Sequence, residues 1–351
     1  MVVRVCGMPI EAQQQERKKN MALAPVRKES VVVAEPVITG DDPKTITTLN
    51  PQPDATENLY LIGRPTLKQF LRFVKDNAIH SPSSGHLVEE WQAANKIVRE
   101  LEKEQAGLAD NPSIEPVDPE NELLLEFLQV PLVRHSFNTV PTEVAYVDLD
   151  RMVVYQHHID LTFVEQLKRK LGPSPSEEEI FRACLPSAPS LPPVKWTRTH
   201  RDTFVFVSPS DDMRFLGAMQ MEAENIKDYP PPGNLAGVVG LAVGFGSNFL
   251  NAIYTEKRLI LNNGSHRAYA LRDLGVTRVP CIVQHVSSRD ELSVLACTAV
   301  ADAPNFFLQD PRPMMLKDYF DPRLRKVMSI HRRLRQVTVK FDVDVTFAPA
   351  I

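Results

Sequence analysis

With 351 residues, 43% of them hydrophobic and 24% charged, the chain has the make-up of an ordinary globular protein, long enough for a sizeable core in one large domain or two modest ones. A formal net charge of -4 argues against partners held by bulk electrostatics, nucleic acid among them. Twenty-nine prolines against 14 glycines predict long extended connections, because proline fixes φ and pushes the residue before it out of the α region.

Residues 1–55 mix polar and charged runs with scattered proline and no sustained period, which predicts a flexible leader. Over residues 56–135 the pattern turns helical. In "NLYLIGRPTLKQFLRFVKDN", Leu67, Phe70, Leu71 and Val74 recur at three and four residues behind Pro65 and Thr66, which suit a helix start. In "HLVEEWQAANKIVRELEKEQAG", Leu87, Trp91, Ala94, Val98 and Leu101 share a face and Gly107 supplies a stop. A short helix follows at "LLLEFLQV", so this span reads as a helical subdomain.

From residue 140 onward the chain reads as mixed α/β. "EVAYVDLDRMVVY" alternates as a strand does, and "LTFVEQLKRKLG" has helical period with Asp160 as its N-cap. "TFVFVS" is a β-branched and aromatic strand. "KRLILNNG", "SHRAYALRDLG" and "RVPCIVQHV" then run strand, turn, helix, strand. Asn262, Asn263 and Gly264 make the turn, Ser265 is the expected N-cap, and Gly275 takes the left-handed C-terminal position. Beyond, "RDELSVLACTAV" reads as a helix, "RLRKVMSIHRRLRQ" as a basic helix with a solvated face, and "VTVKFDVDVTF" as a closing strand. Residues 298–351 form a C-terminal tail packed on the core.

The chemistry concentrates at "NNGSHRAYAL". A helix that opens with His266 and Arg267 puts two potential cations at its positive end, where acidic residues are favoured. An anion resolves the conflict: free amides of Ser265, His266 and Arg267 converge on it, and Arg267 adds a bidentate grip. The competing reading pairs Arg267 with Asp273 or Glu256 and leaves His266 on the surface. "GLAVGFGSN" lacks the Lys-Ser/Thr of a P-loop, though Ser247 and Asn248 can line the same pocket as Asn263. His157, His158, His266 and Cys281 show no metal-ligand spacing, and no metal is assigned.

The residues "LILNNGSHRAYALRDLGVTRVPCIVQHVSSRDEL", with "VAYVDLDRMVVYQHHIDLTFVEQLKRKL" and "LPPVKW" upstream, resemble the ParB/sulfiredoxin superfamily. Its members share a strand, a glycine turn, a helix bearing HR or RR, and a strand with a Val-Pro start. The turn reads Gly-Cys-His-Arg in sulfiredoxins, Asp-Gly-His-His-Arg in ParB-type free serine kinases and Gly-Glu-Arg-Arg in partition proteins, and all three hold nucleotide phosphates there. The resemblance implies an α/β (α+β) mixed-sheet core over residues 140–297, with an insertion at about 197–256. It implies a cofactor site of Asn263, Gly264, Ser265, His266 and Arg267 for ATP or another nucleotide, with Mg2+ as an accompanying ion.

Departures limit what is carried over. Ser265 stands at the sulfiredoxin cysteine, which excludes thiolate chemistry there, and Asn263 at the kinase aspartate, which removes a hard ligand for Mg2+. Where the serine kinases carry a glutamate base, this chain has Gln156, His157 and His158, and an imidazole of near-neutral pKa serves as base, with His266 a further catalytic candidate. No helix-turn-helix follows Cys297, which removes the DNA-binding part of partition proteins. Arg312 and Lys317, with Gln156 and Asn248, are the candidates for holding a small substrate. The expected activity is nucleotide-dependent phosphoryl transfer or activation of a small polar metabolite. Nucleotide-gated binding without catalysis, and an enzyme that uses the site for a substrate carboxylate, are the alternatives.

Cys6, Cys184, Cys281 and Cys297 stand far apart with no CxxC pair, as free thiols of a reducing compartment do. The first twenty residues are too polar for a signal sequence and no run reaches bilayer-spanning length, so the chain is expected to be cytoplasmic, with no membrane partner.

Overall fold

The computed structural model describes residues 55–187, 191–222 and 236–347. The expected leader lies, but for Ala55, outside them, as does Cys6. The described chain is of mixed α/β class. In order it forms β1 (Ala55–Leu61), α1 (Leu67–Asn77), α2 (Ser84–Glu104), β2 (Ile114–Pro116), α3 (Glu122–Leu128), α4 (Pro131–Ser136), β3 (Thr142–Asp148), β4 (His158–Asp160), α5 (Leu161–Leu171) and α6 (Glu177–Cys184). There follow β5 (Lys195–His200), β6 (Thr203–Ser208), β7 (Arg214–Met221), β8 (Val238–Gly244), β9 (Asn251–Thr255), β10 (Arg258–Asn263), α7 (Ser265–Asp273) and β11 (Arg278–His285). The chain closes with α8 (Arg289–Leu295), α9 (Thr298–Asp302), α10 (Pro304–Leu308), β12 (Arg325–His331) and β13 (Arg335–Lys340).

The central sheet runs β10-β9-β11-β3-β2, with β9 and β11 parallel and the other neighbours antiparallel. Strands β9, β10 and β11 are apolar on both faces, with Ala252 and Ile253, Leu259 and Ile260, and Cys281 and Ile282 all buried, because helices and connections cover both sides. β9 and β10 join through Glu256 and Lys257, whose φ of 46° and 69° make a tight left-handed hairpin turn.

A second sheet, β12-β1-β4, is closed by parts of the chain far apart in sequence. β1 pairs along its whole length with β12, from Ala55 opposite His331 to Leu61 opposite Arg325, and its other edge holds β4 with Tyr60 opposite His158. The span expected as a helical subdomain thus carries its helices but also supplies strands to both sheets, and Leu59, Phe70, Leu261 and Leu324 belong to one core cluster. The expected basic helix over residues 323–336 is instead β12 and the turn beyond it. Lys and Arg favour helix locally, but the open edge of β1 offers seven residues of pairing and Met328 packs on the core.

Local capping explains the helices that sequence placed well. Thr66 and Gln69 form a reciprocal capping box at α1, whose Phe70 and Val74 are buried, and Asp160 caps α5 by accepting from the Phe163 amide at 3.1 Å. "RDELSVLACTAV" breaks into α8 and α9 at Ala296, whose ψ of 157° is extended. Of the expected insertion, β6 pairs with β5 on one side and β13 on the other and β7 pairs with β8, while β9 from Asn251 onward belongs to the central sheet.

Candidate functional site

At the start of α7 the helix cap differs from expectation. Gly264, not Ser265, is the N-cap, with φ 99°, and Ser265 is the first helical residue, buried. Glycine is required twice over: the left-handed backbone disfavours any side chain, and a Cβ would lie 2.7 Å from Leu250 Cδ1. Asn262 and Asn263 remain in β10, and the Asn263 Nδ2 donates to the Ser247 carbonyl at 2.8 Å. The first helical bond runs from the Ala268 amide to the Gly264 carbonyl, and no side chain caps the preceding amides. The amides of Ser265, His266 and Arg267 therefore have no helical acceptor.

Arg267 pairs with neither of its expected acidic partners. Asp273 binds Lys168 at 2.5 Å and Glu256 binds Arg289 at 2.6 Å. The Arg267 guanidinium instead donates to three neutral oxygens, the Cys184 carbonyl at 3.1 Å and the Asn248 carbonyl and Oδ1 at 3.1 and 2.6 Å. Burial pulls its pKa below the usual arginine range, while the neighbouring thiols of Cys184 and Cys281 act the other way. Those thiols carry no charge near neutrality, since burial pushes Cys184 up to about 12 and Cys281 well above its ordinary value. Among the described residues, no carboxylate lies within ion-pair distance of this cation. Asn248, expected at a substrate, positions Arg267.

His266 is committed to a structural bond. Its Nε2 accepts from the Asp160 amide at 3.0 Å, which places the proton on Nδ1 and ties the start of α7 to the start of α5, with the Phe163 ring edge-on at 5.5 Å. Burial holds its pKa down against the charges of Asp211 and Asp160.

His157 and His158 lie with Gln156 in a cleft of about 390 Å³ between β4 and α1, floored by Tyr60 and Phe73 and rimmed by Arg72 and Asp76. The Tyr60 and Phe73 rings stack at 4.3 Å, and His158 tilts against Phe73 at 5.6 Å. Burial lowers His157 to about 4, with the neighbouring His158 adding to the effect. Burial also lowers His158, but Asp211 and Asp160 oppose it. The two histidines are neutral at pH 7, and the carboxylates beside His158 favour its taking up a proton. The Gln156 carbonyl accepts from Tyr319 Oη, which fixes the backbone leading into the pair.

Compared with protein-family models, with curated proteins and with solved structures, the chain matches none. The site is therefore read from its own geometry. Sequence reasoning missed Asp211 and Asp212. Asp212 Oδ2 accepts from the Gly246 amide at 2.8 Å, tying the β6–β7 connection to the β8–β9 connection, and the charge of Asp211 opposes the lowering by burial of both His158 and His266. It missed Tyr155 as well, whose hydroxyl donates to the Asn262 carbonyl at 3.1 Å. Two adjacent acids between strands in "PSDDM" were the available signal.

Arg312 is a correction. Its side chain is 1% exposed and makes a bidentate pair with Asp318 at 2.5 and 2.6 Å, with further bonds to the Pro313 carbonyl and to Gln105. A guanidinium enclosed and neutralised in this way holds its own turn and cannot meet a substrate. Lys317 reaches the same Gln105 at 3.4 Å, in this buried cluster. Cys281 is buried, and among the described residues no three His, Cys, Asp or Glu side chains meet as a metal site. No helix of the described residues is long and apolar enough to cross a membrane.

Proposed function

We propose that the chain binds a phosphorylated small molecule, a nucleotide such as ATP, at the start of α7, and transfers or activates its phosphoryl group for a small polar metabolite held in the adjoining His157/His158 cleft. The observation that carries this reading is Arg267, half-buried beside three helical amides that no side chain caps and, among the described residues, with no carboxylate to neutralise it. A phosphate there gains amide donors, the helix dipole and a guanidinium together. His158 is the base, neutral near pH 7 and flanked by acidic charge that stabilises its protonated form. It takes the proton of the metabolite hydroxyl as that oxygen attacks the γ-phosphorus, the bond from that phosphorus to the bridging oxygen of the β-phosphate breaks, and ADP leaves. His157, lowered to about 4, is the weaker base, and His266 holds the scaffold. For Mg2+ accompanying the nucleotide, Asp211 offers a carboxylate that Asn263 lacks.

Binding without turnover is favoured by one observation: of the three candidate histidines, His266 has its Nε2 engaged and His157 has lost basicity, so the chemistry rests on His158 alone.

Thermal unfolding in the presence of ATP, ADP, GTP, CTP, pyrophosphate and citrate, with and without Mg2+, tests the reading. At one hundred times Kd a phosphate ligand adds about 2.7 kcal/mol of stability, and Arg267→Ala abolishes that gain. His158→Gln keeps the gain and loses turnover across a metabolite panel. If no phosphate compound shifts the wild-type melt, the reading fails; a shift with citrate alone points to a substrate carboxylate.

A further inference from the structure

The sheet β13-β6-β5 stands apart from both core clusters, which contain none of its side chains. Register places Val337, Phe206 and Trp196 in one row across the three strands and Val339, Phe204 and Arg198 in the next, so all six share a face. Phe341 extends that face beyond β13. The rings lie nearly flat to one another: Trp196 and Phe206 at 6.1 Å and 25°, Phe204 and Phe341 at 6.3 Å and 23°. Trp196 is 64% exposed and Phe341 37%, and the Arg198 guanidinium sits 5.5 Å from the Phe204 ring centre.

Charge on this sheet runs opposite to the chain as a whole. Residues 195–208 and 335–340 carry Lys195, Arg198, Arg201, Arg335 and Lys340 against Asp202, a formal +4, where the whole protein is -4. Arg198 and Arg335 bond only to backbone carbonyls, and Arg201 and Lys340 form no ion pair among the described residues. An apolar protein partner uses aromatic rings too, but it has no use for unneutralised cations between them. An extended polyanion with flat apolar groups uses both.

We propose that this face is a platform for single-stranded nucleic acid, on which unpaired bases stack against Trp196, Phe206 and Phe204 while Arg198 and Arg335, which the register puts on the same face, follow the phosphates. Phe204 and Phe206 are two residues apart on the central strand, about 7 Å, so an extended strand seats one base on each. A duplex keeps its bases stacked on one another and cannot use the rings. The platform is independent of the phosphate site at α7 and stands or falls without it.

The experiment is fluorescence anisotropy with labelled twelve-nucleotide oligo(dT), oligo(rU) and a duplex of equal length, over a range of salt concentrations, using the full chain. Single strands are expected to bind at least tenfold more tightly than duplex. Trp196→Ala weakens them by about five- to a hundredfold, the range of one lost stacking contact, and Trp196→Tyr, which keeps a ring, restores most of the affinity. Arg335→Ala weakens oligo(dT) and oligo(rU) alike and makes the slope of log affinity against log salt shallower by about 0.7. A preference between the two oligomers identifies DNA or RNA as the partner. No binding at low salt, equal binding of duplex, or an unchanged affinity in Trp196→Ala overturns the proposal. So does sedimentation as a dimer that Trp196→Ala dissociates, which assigns the face to a second copy of the chain.

Discussion

Two arginines in this protein, Arg312 buried and Arg267 half-buried, have opposite surroundings. Arg312 is enclosed with a carboxylate that matches its fork, Asp318, and the pair is further bonded to Gln105 and backbone carbonyls. Arg267 is half-buried, at a helix end that already carries positive potential, and meets only carbonyls and an amide oxygen. The same side chain is a structural pin in one region and an unneutralised cation in the other. Buried charges are ordinarily paired, so the second arrangement is the informative one, and it is the reason for placing an anion there.

The contrast is broken most directly at the paired site. Arg312→Ala leaves Asp318 buried without a partner and should cost about 3–5 kcal/mol in urea denaturation, with no rescue by phosphate or nucleotide. Arg267→Ala removes an unpaired cation, so its signature is the loss of ligand-dependent stabilisation with a smaller change in the unliganded protein. Equal losses at both positions would erase the distinction.

Next in size is a pH effect from the cleft. His157 has a folded pKa of about 4 against an ordinary value of 6.5. Between these values the unfolded chain binds a proton that the folded chain does not, so stability falls as pH falls, by roughly 1.4 kcal/mol per pH unit. His158, also lowered, adds in the same direction. Equilibrium unfolding measured from pH 7 to pH 4 should show this slope, and His157→Gln should flatten it.

Gly264→Ala tests the turn that aims the free amides. With φ at 99° and Leu250 Cδ1 2.7 Å from the new Cβ, the substitution should lower stability by about 1–3 kcal/mol and weaken phosphate-dependent stabilisation as well. The smallest effect belongs to the outlying sheet: Trp196→Ala, at an exposed position, should change stability by no more than about 0.5 kcal/mol.

The most legible part of the fold was the strand, turn, helix and strand from Arg258 to His285, where Gly264, Gly275 and the apolar run leave little choice. The start of α1 was legible for the same reason, since Thr66 and Gln69 settle it within four residues. Of the site, Arg267 and the histidine pair could be named from sequence. Their roles could not. His266 looked as free as Arg267 until its Nε2 met the Asp160 amide, and Arg312 looked as available as Lys317 until Asp318 closed over it. Asp211 gave little local sign of lying beside His158.

Sequence by itself determined the mixed α/β class, the helix caps at Thr66 and Asp160 and the glycine turn at residue 264, because capping, backbone freedom and apolar period act over a few residues. Tertiary structure alone decided that residues 325–331 are a strand, that β1 joins the two ends of the described chain around His158, and which arginine finds a carboxylate. Strand pairing and charge neutralisation depend on groups brought together across the chain, and no local pattern records which partner arrives.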